Sequence, residues 1–458
     1  MSNAKNNLFE ADKVSGIECA AFNTSIVAEV VKRNNTRNIF HIPFWGFILN
    51  ISKDRGEEYI FEDKYEEASD TIVHYIIKNG ISYFEEVEKT LSCEVEDFFN
   101  FVKEIETKII NLDDKNLIEE YRGFTEKYIH YYSLGAVTFL YESILSDRLY
   151  KSLERQGVKN IPEVLQILLF TGYKSFMNEA AEQAHLVAIE EDFSKKEDLI
   201  KKYIENFYYI NSNYKYSERV NSEYFEKFRD FKPEDSCHVI SQDLKIDLSD
   251  EDKAIIELFK ITELIRDKRK KLNLIGSYAM SRFLDEAVKG ADIKISDASK
   301  LFWFEYSDLL NKVDLESKFN RIKVTVSFDE QNGTQYQEGE KIINRKSHDI
   351  AQIKGVPASK GNVEGEVCIV LGSNEFEKFK EGQILVAEMT RPEFLPLMKK
   401  AAAIVTDEGG LTCHAAIVAR ELSIPCIVGT KNATLILKDG DFISVNTTTG
   451  IVQISQKV

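Results

Sequence analysis

An abrupt change of composition near residue 350 limits most what this chain can fold into. All 20 Tyr and both Trp precede Lys354, whereas ten of the 22 Gly and four of the seven Pro fall in the last 105 residues. Aromatic side chains carry large apolar areas into a core, and Gly and Pro punctuate turns, so the two pieces call for different architectures. Charge divides at the same place. From Lys354 onward 11 basic and 12 acidic side chains leave a net −1, so the first part holds the other −16 of the formal −17. The division predicts a large domain over 1–327, a polar linker over 328–353 and a small domain over 354–458.

The large domain reads as mainly helical. Ser249 and Asp252 have the spacing of a capping box, and Ile255, Leu258, Phe259, Thr262 and Ile265 follow at helical spacing before a basic end from Arg266 to Lys271. Similar patterns cover 72–87, 117–153, 164–189 and 194–209, with few Gly or Pro to interrupt them. The segment 328–350 is polar, with two Gly, and suits a connector. Beyond it, short apolar runs at 367–371, 384–386, 403–405, 427–428, 442–445 and 451–454 alternate with turns, which predicts a compact α/β unit. The expected fold class is thus multidomain, α followed by α/β.

Several function classes recede on composition. The acidic balance opposes a polyanionic partner, so no nucleic acid is expected. No apolar stretch reaches the roughly 18 residues of a membrane span, and the start MSNAKNNLFEADK lacks a basic and apolar leader, so the expectation is a cytoplasmic chain without a membrane segment. The six Cys (19, 93, 237, 368, 413 and 426) have no paired spacing, which suggests neither disulfides nor a metal site.

The chemistry concentrates in residues 406–429, TDEGGLTCHAAIVARELSIPCIVG. A strand enters it, Gly409 and Gly410 allow close backbone approach, and His414 opens a helix whose unpaired N–H groups and dipole favour an anion. A neutral imidazole is a competent nucleophile. Ala415 and Ala416 read as keeping the approach to it open. An isolated histidine in such a turn is ordinarily structural. Its neighbours decide otherwise.

The segment resembles the phosphohistidine domain of phosphoenolpyruvate synthase, pyruvate phosphate dikinase, enzyme I of the sugar phosphotransferase system and rifampin phosphotransferase. Thr406, Gly409, Gly410, Cys413, His414, Arg420, Glu421, Pro425 and Gly429 fit the family pattern without a gap, and Cys413 is similar to the synthase branch. Residues 354–365 and 382–392 resemble the flanking patterns, while Ile427, Gln383 and Asn446 depart from them. The resemblance implies a small swivelling β/β/α domain with His414 as the phosphorylated residue, and Gly409, Gly410, Thr412, Cys413 and Arg420 about the phosphate. Arg420 pairs either with a phosphate oxygen or with surface neighbours. Thr390 and Arg391 line the same pocket or form an ordinary turn.

More weakly, 297–310 and 205–218 resemble the helical acceptor or linker region of the same enzymes, with Gly and Arg of the second stretch replaced. No GxxxxGK[ST] loop occurs, and the first 350 residues offer no Gly-rich phosphate loop. The implied reading is a phosphotransferase subunit without a cofactor or metal of its own. An ATP-grasp partner holding Mg-ATP would load His414, and a small-molecule acceptor on the helical domain would receive the group. The alternative is a non-enzymatic phosphorelay or regulatory protein acting on a protein partner.

Overall fold

The computed structural model describes residues 9–10, 12–18, 29–30, 47–52, 55–60, 62–159, 161–212, 217, 220–229, 246–289, 291–321, 323–329, 333–338, 343–344, 353–390, 394–411 and 413–456. The chain is mostly helical, with a mixed sheet in its C-terminal part.

The helical layer comprises α1 (Glu62–Asn79), α2 (Ser82–Lys108), α3 (Asp114–Gly135), α4 (Glu142–Arg155), α5 (Ile161–Leu168), α6 (Phe176–Ile189), α7 (Phe193–Phe207) and α8 (Asp250–Val288). The capping box at Ser249 and Asp252 starts α8 as its sequence predicts. The early turns of α8 bury one stripe, but from Leu272 to Leu284 every residue is buried, which makes this helix the axis of the layer. Two polar residues on that stretch are bonded across to other segments: Tyr128 donates to Asn273 Oδ1 at 2.9 Å and Arg282 Nη2 donates to Ser217 O at 2.8 Å. Phe98 stacks on Phe124 and Tyr128, and a Cβ on Gly276 would stand 2.2 Å from the Tyr128 ring, so α3 and α8 approach this closely only over glycine.

The helical patterns at 72–87 and 117–153 each prove to be more than one helix. Gly80, at φ +73°, ends the first, and a short 3-10 segment at Ala136–Leu140 breaks the second. A larger difference lies outside the helices. Strands β1 (Asp12–Glu18), β2 (Phe47–Ser52), β3 (Arg55–Ile60), β4 (Lys323–Asp329) and β5 (Gly333–Glu338) form an antiparallel sheet in the order β1-β3-β2-β4-β5. Part of the segment read as a connector is therefore an edge strand. Its one aromatic residue explains why: Tyr336 packs at 4.6 Å from the Phe304 ring and 5.1 Å from Phe302, anchoring an otherwise polar strand to the helical core.

The C-terminal sheet contains β6 (Ile353–Lys354), β7 (Val356–Ser359), β8 (Asn362–Ile369), β9 (Ile384–Ala387), β10 (Ala403–Thr406), β11 (Cys426–Val428), β12 (Phe442–Asn446) and β13 (Ile451–Gln456). The order is β6-β13-β12-β8-β9-β10-β11-β7, with β8 to β11 parallel. Strand β9 throughout, and β10 up to Thr406, are apolar because both faces are covered: Leu385, Ala387 and Ile404 join one core, while Ile384, Val386, Ala403 and Val405 join the other. Helix α9 (His414–Glu421) connects β10 to β11, so its N-terminus lies beyond the carboxyl end of a parallel strand, where α/β sheets bind ligands. Strand β7 packs against α4 and α5, and Leu411, wholly buried, belongs to the core of the helical layer.

Candidate active site

The loop between β10 and α9 is fastened by a residue that sequence reasoning passed over. The Asp407 carboxylate is buried and accepts hydrogen bonds from Thr430 Oγ1 at 3.1 Å, Thr434 N at 3.1 Å and the Thr434 hydroxyl. Burial pushes its pKa up, and those three bonds hold it down in opposition. Gly409, at φ +109°, then turns the chain where a Cβ would meet Cys413 Sγ at 2.5 Å. Cys413 is the N-cap of α9, its Sγ accepting from Ala416 N at 3.4 Å. Burial raises the Cys413 thiol, so it remains protonated and structural.

His414 occupies the first helical position of α9, half-buried. Its Nδ1 lies 2.8 Å from Thr390 Oγ1. With Nδ1–H donating to the hydroxyl, Nε2 keeps its lone pair. Burial, and then the positive charges of Lys270 and Arg266, push the ring down to about 3, so it is neutral at physiological pH. Ala415 and Ala416, which the sequence suggested keep the approach open, are instead buried in the core beneath the sheet face.

The two cations come from the other layer. Arg266 and Lys270 stand four residues apart on α8 and therefore share a face. Arg266 Nη1 donates to Glu142 Oε1 at 2.6 Å. On the same stretch of α8, Glu263 accepts from Thr171 Oγ1 at 2.6 Å, and Asp267 accepts from Tyr173 OH at 2.7 Å and Phe176 N at 3.2 Å. Burial raises both carboxyls. The arrangement places a neutral imidazole at a helix N-terminus within the field of two cations, a setting that favours an anion.

Residues 379–450 match the family described as PEP-utilising enzyme, mobile domain. The C-terminal part of this chain is thus similar to a PEP-utilising mobile domain. A probable phosphoenolpyruvate synthase of Archaeoglobus fulgidus is 49% identical over 116 residues, which is 25% of this chain and 15% of that protein. The phosphoenolpyruvate synthase of Pyrococcus furiosus is 56% identical over 100 residues, 22% of this chain and 12% of its own. An uncharacterized phosphotransferase of Bacillus subtilis is 42% identical over 113 residues, 25% of this chain and 14% of its own. The chain thus spans less than a sixth of each of these relatives.

Within the C-terminal part the structure brings His414, Thr390, Gly409, Gly410 and Cys413 to one place. Arg420 turns inward: Nη2 donates to Leu411 O at 2.7 Å and Nη1 to Ala358 O at 3.4 Å, so it braces the loop backbone. Thr412 and Arg391 lie outside the described residues. Among the described residues, no group of three or more His, Cys, Asp or Glu is arranged to hold a metal ion, and no helix is long and apolar enough to cross a membrane. Arg266 and Lys270 had been visible only as the basic end of a helical stripe, about 145 residues from the histidine they face.

Proposed function

We propose that this chain is a phosphotransferase in which His414 carries a phosphoryl group between a donor and an acceptor bound by the helical layer. The observation that carries the reading is the neutral His414 ring, tied through Nδ1 to Thr390 and facing Arg266 and Lys270. In the loading step Nε2 attacks the donor phosphorus, an Nε2–P bond forms, the donor P–O bond breaks and its electron pair leaves with the donor oxygen. In the second step the acceptor's nucleophilic atom bonds to phosphorus, the P–Nε2 bond breaks and the lone pair returns to the ring. Nδ1–H remains on Thr390 throughout. Arg266 and Lys270 stabilise the charge spread over the transferring oxygens.

The donor site is assigned to a separate ATP-grasp polypeptide holding Mg-ATP, and reaching both sites requires the small domain to swivel. The acceptor is assigned to the small molecules, with Arg266 and Lys270 of the helical layer as the charges that act on His414. The test is intact mass after incubation with Mg-ATP alone, phosphoenolpyruvate alone, and Mg-ATP with an ATP-grasp partner. An acid-labile phosphoryl increment is expected on the wild type only with the partner, and on His414→Ala in no case. Wild-type labelling of His414→Ala would end the assignment, and self-phosphorylation of the purified chain with Mg-ATP would place the donor site within it.

A further inference from the structure

We propose that Gly410 and Leu411 form a docking latch that seats the histidine domain on the helical layer, and that Ser146 of α4 is the positioning residue that receives it. Three contacts carry the inference. Leu411 leaves its own domain's cores and is wholly buried in the core of the helical layer. Its N–H donates to Ser146 Oγ at 3.4 Å, while Ser146 donates to Glu142 O at 2.7 Å, so one hydroxyl links the loop to the backbone of α4. A Cβ on Gly410 would stand 2.4 Å from Ser146 Oγ, 3.0 Å from Ser146 Cβ and 3.5 Å from Glu142 O.

The last contact is the most informative. Gly409 and Gly429 need glycine because their φ angles are positive, whereas Gly410 has no positive φ and its missing side chain is demanded by the opposite layer. Glu142, one turn before Ser146, pairs with Arg266, so the residue that receives the loop and the cation that faces His414 are held by one turn of α4. Docking of the loop therefore sets the distance between imidazole and cations. A polar loop pressed on a surface would not need to place a leucine in the partner's core; the buried apolar contact supplies the attraction, and the glycine and serine supply the fit. The consequence for phosphoryl transfer rests on the reading of His414 as carrier, but the latch itself does not.

The test uses the full chain. In the double variant Gly410→Cys, Ser146→Cys the two Cβ atoms start near 3.0 Å apart, and a few tenths of an ångström of adjustment reaches disulfide geometry. Oxidised glutathione takes the two electrons and is released as two thiols. Peptide mapping is expected to find positions 146 and 410 joined within one chain; both thiols still free after oxidation would overturn the latch. As a second measurement, Ser146→Leu fills the space that Gly410 leaves. If the undocked state of the wild type is about a tenth of the population or less, carbethoxylation of His414 by diethyl pyrocarbonate at pH 7 rises by about tenfold or more in this variant. Equal rates would also overturn the latch. A cross-link that forms in a chain whose His414 never takes up phosphate would leave the latch standing and remove the carrier reading.

Discussion

His414 works through a charge it does not carry. Docked, its pKa is about 3; released into water, it returns toward the ordinary 6.5, so the released state binds the proton and the docked state does not. The docked arrangement is therefore complete above about pH 6.5 and is lost progressively as pH falls from there toward 3. An imidazole resonance followed by NMR should titrate well below 6.5 in the wild type, with the midpoint moving up in Ser146→Leu. A wild-type midpoint at the ordinary value would contradict the burial of the ring between the layers. Thr390 acts on the same residue differently, by fixing the tautomer. Thr390→Val removes one hydrogen bond worth roughly 1 kcal/mol, so the rate of phosphoryl uptake should fall about fivefold at unchanged fold and titration midpoint. Uptake at the wild-type rate would show that Nδ1 needs no partner.

The loop from β10 to α9 holds its shape through Asp407, which ties it to the turn after β11 and to the Ala433–Ile436 helix. Asp407→Ala leaves the Thr434 N–H and hydroxyl without their acceptor in a buried place, which costs about 2–3 kcal/mol, while the Thr430 hydroxyl keeps Thr406 O. Urea denaturation should register that loss in the transition of the small domain, and a change below about 0.5 kcal/mol would mean the bonds are replaced by water. Helix α8 illustrates the opposite case. Its start is local chemistry, the Ser249 capping box, and Ser249→Ala should cost about 1 kcal/mol. Thermal melting of the helical signal tests this. Loss of cooperativity, and not a shift, would show that more than the cap depends on Ser249.

Across the whole molecule, the proposed transfer has two steps on one histidine, with Lys270 beside it in the docked arrangement. Lys270→Gln should therefore slow decay of phospho-His414 to an acceptor by about a hundredfold. The same substitution removes a positive charge beside the ring and so must raise its titration midpoint, a change that a lysine remote from the ring would not produce. Unaltered delivery with an unaltered midpoint would detach Lys270 from the site.

The small domain was legible because its chemistry is contiguous. The turn glycines, the capping Cys413 and His414 lie within six consecutive positions, and the strands on either side are apolar runs bounded by turns. Local geometry follows from local sequence there, and so did the capping box of α8. The strands β1 to β3 and β5 were not legible, since they pair residues from the two ends of the helical layer and a polar strand reveals itself only through what Tyr336 packs against. Arg266 and Lys270 read as a solvated helix end, and Arg420 read equally as a phosphate ligand or a surface residue. Their roles depend on which backbone or ring stands opposite, a distance in space with no counterpart in chain order. The sequence by itself singled out His414 and the turn that presents it. Only the tertiary structure decided what faces it, because burial and the charges of Arg266 and Lys270 act on His414 across a contact between two separately packed layers.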